Sequence, residues 1–422
     1  MRVLWFCNSP GLGAHRLGVH EAVGAGWITA LESALKEGSD VALGVSFPWD
    51  VPAVERIGEG VHAYLPFPRY PRGGKLRQAL FQQSCRLEPE SEVLHLERVI
   101  ALAQPDLVHI WGTEQFSGLV ADRLEIPVLV GIQGLRTQCS AVYCSGLSLG
   151  DLLRYGTAKH LLNGRSLLHE YFRYRRTAIR EQRILRQARF VSGRTEWDRL
   201  ACAALAPNST YFHCDEVLRP EFHTQTMRHR KADEELRIIS TVRGNAYKGV
   251  ETVAECARLL RPLLGVPFKW TLVGIRQGEQ IHRIVERKLG VSFKDLGIHL
   301  LGRKPAGEVA QELRASDVYV LSSRIENSPN GLCEAMMVGL PTVATNAGGT
   351  PSMLTHAKEG LLIPPGDPWT MAGAITRLAS DSDLAAKLGS AARKRARQRH
   401  DPEAIVGTLL SIYREILAAG SR

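Results

Sequence analysis

The sequence predicts an α/β protein built on two parallel sheets, and three observations carry that expectation. Short β-branched runs alternate with amphipathic helical stretches along the whole chain, the pattern of strands joined through crossover helices. The alternation occurs twice, on either side of "VLRPEFHTQTMRHRKADEE" (217–235), a polar stretch with little apolar periodicity that reads as an interdomain connection. A length of 422 residues is enough for two or three cores.

The elements follow in order. "MRVLWFCNSPG" opens on an apolar run too short for a signal-peptide core and lacks a small-residue cleavage site, so it predicts a first buried strand. "DVALGVSF", "DLVHIW", "PVLVGI" and "ARFVSG" continue the first series. Between them, "GWITALESALKEG" sets Ile28, Leu31 and Leu35 at helical spacing, with Gly38 as a stop. The second series is "LRIISTVRG", "FKWTLVG", "IHLLG", "VYVLSS" and "PTVAT". Its runs end near Gly, Ser or Arg, where open parallel sheets meet their ligands, so two such sheets predict Rossmann-like domains facing a central cleft. "PEAIVGTLLSIYREILAAG" predicts a last helix, and no stretch is long enough to span a bilayer.

With 44% hydrophobic and 23% charged residues, the composition is that of a soluble enzyme. A net charge of +10 points to acidic partners: phosphates, nucleic acid or an anionic membrane face. The eight cysteines form no C-x-x-C pair, which predicts buried reduced thiols of a cytoplasmic protein.

The stretch "SRIENSPNGLCEAMMVGLPTVATNAGG" (323–349) concentrates the chemistry. Pro329 has no amide proton and clashes with a preceding turn, so one helix does not hold both Glu326 and Glu334. The expectation is Glu326 on a loop and Glu334 in a helix beginning near Asn330. Free amides around Asn330, Gly331 and Leu332 then suit an anion. Arg243 and Lys248 follow the first strand of the second series. Together they suit a diphosphate leaving group, Arg as a planar fork and Lys as a point charge; two solvated cations in a loop are the alternative. Gly348 and Gly349 either let backbone approach a ligand or make a strand-to-helix turn.

Four pieces in order now carry a resemblance: "VRGNAYKG", "IHLLG" followed by "SDVYVLSSRIE", the E-x7-E pair of Glu326 and Glu334, and "PTVATNAGGTPSML" with "EGLLIPPGDP". From about Arg237 to Asp367 the chain resembles the retaining GT-B glycosyltransferases of family four, which bind a nucleotide-sugar between two Rossmann-like domains. The resemblance implies an acceptor-side domain over 1–218, a donor-side domain over 219–398, and a helix over 399–422 returning to the first domain. It implies that Arg243 and Lys248 stabilise the leaving diphosphate with no essential metal and no cofactor. Glu334 then accepts from the ribose hydroxyls, as a carboxylate's geometry allows. Glu326 stands near the donor sugar, holding a hydroxyl or steadying charge at the anomeric carbon. A helix-dipole acid or a surface carboxylate is the alternative for either. Ser352 stands where the family often has an acid after the glycine pair.

Gly24 and Gly26, before Trp27, fit the family's glycine-rich loop under the phosphates and acceptor, with His15, Arg16 and His20 as further candidates there. "PDLVHIWGTEQFSG" resembles the segment with two histidines two residues apart, but holds His109 and then Trp111; Glu114 is the candidate to fill the space. Gln133 replaces another frequent histidine and still donates and accepts hydrogen bonds. Arg194, Thr195 and Glu196 fall where a strand opens onto the cleft, with a structural salt bridge as an equal alternative. Between Asp151 and Arg189, arginines interleave with Tyr155, Tyr171, Phe172 and Tyr174. That predicts an arm facing a phosphorylated lipid, an anionic polymer or a membrane surface, against a solvated helical face. No nucleic-acid-binding motif is present, so nucleic acid is not expected.

The expected function is sugar transfer from a nucleotide-diphosphate donor to a glycan or lipid-linked acceptor, with retention, in cell-surface polysaccharide or glycolipid synthesis. The place is the cytoplasm, peripheral on the inner membrane face. A GT-B nucleotide-sugar epimerase is one alternative. A non-catalytic sugar-nucleotide-binding partner of a polysaccharide assembly complex is the other, kept open by Trp111 and Gln133.

Overall fold

The computed structural model describes residues 1–17, 26–58, 62–223 and 234–420. They form two compact units, each around a parallel sheet. The first unit comprises Met1–Ser140, Phe172–Arg219 and His400–Arg422. Its strands are β1 (Arg2–Phe6), β2 (Ala42–Trp49), β3 (Ala63–Pro68), β4 (Leu107–Trp111), β5 (Val128–Gly131), β6 (Phe190–Gly193) and β7 (Thr210–His213). The sheet order is β3-β2-β1-β4-β5-β6-β7, with every neighbouring pair parallel. β4, β5 and β6 are buried throughout, which is why they read as unbroken apolar runs rather than alternating ones.

The two edge strands stand outside the series read from the sequence. β3 is "AYLPFP", whose two prolines argue against a central strand and are tolerated at an edge. β7 is only half-buried and carries no apolar run. The last helix, Pro402–Gly420, belongs to this unit. Its Ile405, Val406, Leu409, Tyr413 and Ile416 share one core with Trp27, Ile28, Leu31 and Leu35 of the helix Gly26–Gly38.

The second unit comprises Ala141–Tyr171 and Pro220–Arg399. Its strands are β8 (Leu236–Thr241), β9 (Phe268–Val273), β10 (Ile298–Gly302), β11 (Val318–Leu321), β12 (Thr342–Thr345) and β13 (Leu361–Ile363), in the order β10-β9-β8-β11-β12-β13, again all parallel. β13 has three residues, too few to show a period. The sequence-based division kept residues up to 218 together, whereas the structure seats Ala141–Tyr171 in the second unit. Lys288 Nζ binds Gly146 O at 3.1 Å and Asp151 Oδ2 at 2.9 Å, and Gln280 Nε2 binds Arg165 O at 2.7 Å. These bonds join residues more than a hundred positions apart, which no local pattern announces.

All eight cysteines are free thiols, six of them buried. Burial pushes the Cys202 and Cys214 thiols up to about 12, so they remain protonated packing residues. Among the described residues, no helix is long and apolar enough to cross a membrane.

Candidate functional site

In the second unit, the chain leaves β8 at Thr241 and makes a short helical turn over Ala246–Lys248 before the helix Val250–Leu263. Gly249 joins them at φ +71°, and a Cβ there would run into Ser322 O, so both backbone and space demand glycine. Ser322 Oγ donates to Lys248 O at 2.8 Å, and the Arg324 amide donates to Tyr247 O at 2.8 Å. The Lys248 turn is thus stitched to the segment after β11. Lys248 Nζ lies 2.5 Å from Glu326 Oε1, and these side chains are only 16% and 14% exposed. Arg243 is exposed and has no ion-pair partner among the described residues.

Glu326 is on a loop, and Pro329 is extended (φ −73°, ψ 105°) before the helix Asn330–Val338. The Leu332 and Cys333 amides turn back to Pro329 O at 2.9 and 3.1 Å. Leu332 therefore differs from the expectation: its amide closes the first turn instead of facing outward, because Pro329 O is the nearest acceptor. The Asn330 and Gly331 amides have no partner among the described residues, as first-turn donors of a helix do not. The side-chain Asn330 Oδ1 is likewise buried without a partner. Glu334 sits inside the helix, buried at 4% exposure.

Gly331 packs against β8 and β11: a Cβ there would overlap Thr241 Oγ1 and stand 2.7 Å from the Tyr319 hydroxyl. Those two hydroxyls are themselves 3.0 Å apart. Burial pushes the Tyr319 hydroxyl well up, and the Glu326 and Glu334 charges add to it, so it stays neutral. Gly348, at φ +57°, leaves no room for a Cβ against Glu326 O, and the Gly349 amide donates to that same oxygen at 2.9 Å. The glycine pair is a turn that grips the Glu326 backbone. At the carboxyl ends of β8, β11 and β12 the fold has thus gathered a free guanidinium, an ammonium–carboxylate pair, two free amides and a buried carboxylate. Such a set suits a ligand that is anionic at one end and rich in hydroxyls.

The first-unit candidates behave differently. His109 is fully buried, with Nδ1 2.8 Å from the Tyr413 hydroxyl, which also accepts from Trp5 Nε1 at 2.9 Å. Burial, with the Arg194 charge adding, holds His109 well below its ordinary value, so it is neutral. The Trp111 ring is 3.7 Å from His109, 5.1 Å from Trp27 and 5.4 Å from Trp5, centroid to centroid. Both residues, expected beside acceptor or sugar, are core side chains: Tyr413 of the last helix covers His109, and Trp5 and Trp27 pack on Trp111. Glu114 is half-buried and takes Asn8 Nδ2, while its carbonyl takes Arg180 at 2.9 Å. Gln133 is half-buried just beyond β5. Gly26 begins the helix Gly26–Gly38, with the Arg219 side chain where a Cβ would stand. Gly24 and His20 lie outside the described residues. Thr195 caps the helix Glu196–Leu205 reciprocally with Asp198, Glu196 pairs with Arg199, and Arg194 is buried 4.1 Å from the Trp27 ring. Arg194, 3.8 Å from Glu216, and Glu196 thus make structural ion pairs, the alternative stated for this segment, while Thr195 serves as a helix cap.

Among the buried acids that the sequence reading did not single out, Glu181 and Glu32 each hold loops of the first unit. Glu181 takes Thr113 Oγ1 at 2.5 Å, the Arg136 amide at 2.9 Å, and the Thr137 amide and hydroxyl at 2.8 Å each, tying the segment after β4 to the one after β5. Burial still pushes it up. Glu32 takes the Leu12 amide at 2.8 Å, and Lys36 and the Tyr64 hydroxyl at 2.7 Å each, pinning the Gly11–Gly13 turn. The available signal was position: Glu32 lies four residues after Ile28 and Glu181 three before Ile184, on apolar helix faces.

Comparison with known proteins gives this geometry a context. Residues 222–395 match the family described as glycosyl transferases group 1. The amylovoran biosynthesis glycosyltransferase AmsK of Erwinia amylovora is 32% identical over 151 residues, 34% of this chain and 36% of its own length. The chain thus spans well under half of that relative. Among solved structures, sucrose-phosphate synthase from Thermosynechococcus elongatus is similar over 99% of this chain and 100% of its own, with a TM-score of 0.72 at 18% identity. HepE from Anabaena, solved with UDP and glucose, covers 98% and 100% with a TM-score of 0.62 at 16% identity. The chain therefore has the GT-B fold, and the match to glycosyl transferases group 1 lies within its second unit.

Proposed function

We propose that the protein transfers a sugar from a nucleotide-diphosphate donor to an acceptor hydroxyl in glycan assembly. The observation that carries this reading is the gathering of Arg243, the Lys248–Glu326 pair, the Asn330 and Gly331 amides and Glu334 at one end of the second sheet. In it, Arg243, Lys248 and the two amides compensate the charge that grows on the departing diphosphate, the role a divalent metal would otherwise fill. Glu334 reads the ribose hydroxyls, and Glu326 holds the donor sugar. The reading takes front-face displacement with retention, in which no carboxylate nucleophile is needed: the acceptor oxygen bonds the anomeric carbon as the phosphate oxygen leaves and takes the acceptor proton. The UDP bound to HepE supports a nucleotide donor, and the relation to AmsK supports a role in building a glycan.

A panel of UDP-, GDP- and ADP-sugars, read by thermal shift and by slow release of nucleotide, tests the proposal. A selective shift with release, both lost in Lys248→Ala and Glu334→Ala, supports the transferase. Turnover near wild type in Lys248→Ala overturns the assigned role. Donor binding without any release or transfer points instead to the non-catalytic partner, and donor conversion without acceptor to the epimerase.

The proposal includes a membrane-presented acceptor reached from the cytoplasmic face. Arginines of the arm expected to meet that membrane are already engaged: Arg176 with Ser84 O, Arg180 with Glu88 and Arg183 with Glu90. A neighbouring surface supports contact better. The helix Lys75–Ser84 buries none of its residues, and its Leu76 and Leu80 are 76% and 62% exposed. From Arg69 to Leu87 there are five cations and no acid. Arg72 pairs with Glu92, but Lys75 and Arg77 pair with no acid among the described residues, and exposed leucines one turn apart beside such cations suit an anionic lipid surface.

A further inference from the structure

We propose that Ala141–Tyr171 is a brace that positions the Arg243–Lys248 turn, with Glu170 as its positioning residue. The inference rests on the donor-site reading above and deepens it.

The turn is held from two sides. On one side, Ser322 and Arg324 bind the carbonyls of Lys248 and Tyr247. On the other side stands the brace. Asn245 Nδ2 donates to Glu170 Oε1, and the fully buried Tyr143 lies with its ring centroid 5.9 Å from Tyr247 and 5.8 Å from Tyr171. Asn245 O in turn accepts the Lys248 amide at 3.1 Å. Glu170 therefore reaches Lys248 through one residue, and Arg243 is two positions from the same asparagine. Gly146 closes the contact from beneath: a Cβ there would overlap Glu251 Oε1 and crowd the Arg324 guanidinium, which pairs with Glu251 at 2.7 Å.

The seat of the brace does not depend on Glu170. Lys288 holds Gly146 and Asp151, Arg287 binds Tyr155 O at 3.0 Å, and Gln280 binds Arg165 O while accepting the Leu167 amide at 3.1 Å. These contacts run to the helix Gln280–Leu289, whereas Glu170 and Tyr143 reach the turn itself. Removing the Glu170 carboxylate should free the turn without unseating the brace. The arrangement thus assigns a part of the chain that carries none of the donor-site motifs to the control of leaving-group stabilisation.

The test compares wild type, Glu170→Ala and Glu170→Gln in the full chain, by hydrogen exchange over residues 243–249 and by titration with UDP, GDP and ADP. Glu170→Ala should speed exchange of the Lys248 amide and weaken the preferred nucleotide, each on the order of tenfold, as for losing one hydrogen bond to a charged group. Glu170→Gln keeps an acceptor oxygen and should stay close to wild type, while all three melt together. Wild-type exchange and affinity in Glu170→Ala would overturn the brace, as would a Glu170→Gln as weak as Glu170→Ala. If wild type binds none of the three nucleotides, the donor reading fails, and the exchange result alone decides the brace.

Discussion

Gly331→Ala perturbs the candidate site by a single methyl group whose surroundings are known. The added Cβ overlaps Thr241 Oγ1, stands 2.7 Å from the Tyr319 hydroxyl and 3.1 Å from Thr241 Cβ. Neither neighbour is a flexible tip, since Thr241 ends β8 and Tyr319 is fully buried in β11. Overpacking of this kind costs about 1–3 kcal/mol. Separating the Thr241 and Tyr319 hydroxyls adds about 1 kcal/mol, and the better helix propensity of alanine returns at most about 1 kcal/mol. The net expectation is a loss of about 1–3 kcal/mol, read as a lower urea midpoint by tryptophan fluorescence. The helix start moves away from β8 in the process, so UDP affinity should fall along with stability. Thr241→Ala in the same chain removes the struck oxygen and should recover part of the loss. A Gly331→Ala protein as stable as wild type would refute the close-packing argument, and so would a double variant that recovers nothing.

Two further outcomes are expected. Vesicles containing anionic phosphatidylglycerol should sediment the protein while neutral phosphatidylcholine vesicles do not, and Leu76→Ser with Leu80→Ser should weaken binding by about tenfold or more; equal binding to both vesicle types would remove the membrane surface. His109 is held well below its ordinary value, so below about pH 6.5 the unfolded chain takes up a proton that the folded chain refuses. Its contribution to stability is full above that pH and is lost as pH falls, by up to about 1.4 kcal/mol per unit. His109→Gln should flatten that part of the urea-midpoint profile between pH 7 and 5.5, and an unchanged slope would show that His109 does not titrate as its burial requires.

What the sequence determined by itself was everything written at short range. Pro329 separates Glu326 from Glu334 because a missing amide proton and a ring clash are local facts, and the helix does begin at Asn330. Central strands such as β4 and β11 were legible because burial on both faces demands an unbroken apolar run, while β3, β7 and β13 were too short, too polar or too rich in proline to announce themselves. The candidate site residues of the second unit were legible as a list, through motif order, but their pairing was not. That Lys248 meets Glu326, that Gly331 is wedged against Thr241 and Tyr319, and that Gly348 and Gly349 grip Glu326 are contacts across 12 to 90 residues, set by how β8, β11 and β12 lie side by side. Only the tertiary structure could decide that His109 and Trp111 are core, since Tyr413, which covers His109, is about three hundred positions away, and Trp5 and Trp27, which pack on Trp111, come from other elements. The same holds for Glu170. In the sequence it is one acid among the arginines of a basic helix; the fold alone brings it to Asn245, because a side chain's environment is made by whatever distant segment the backbone carries to it.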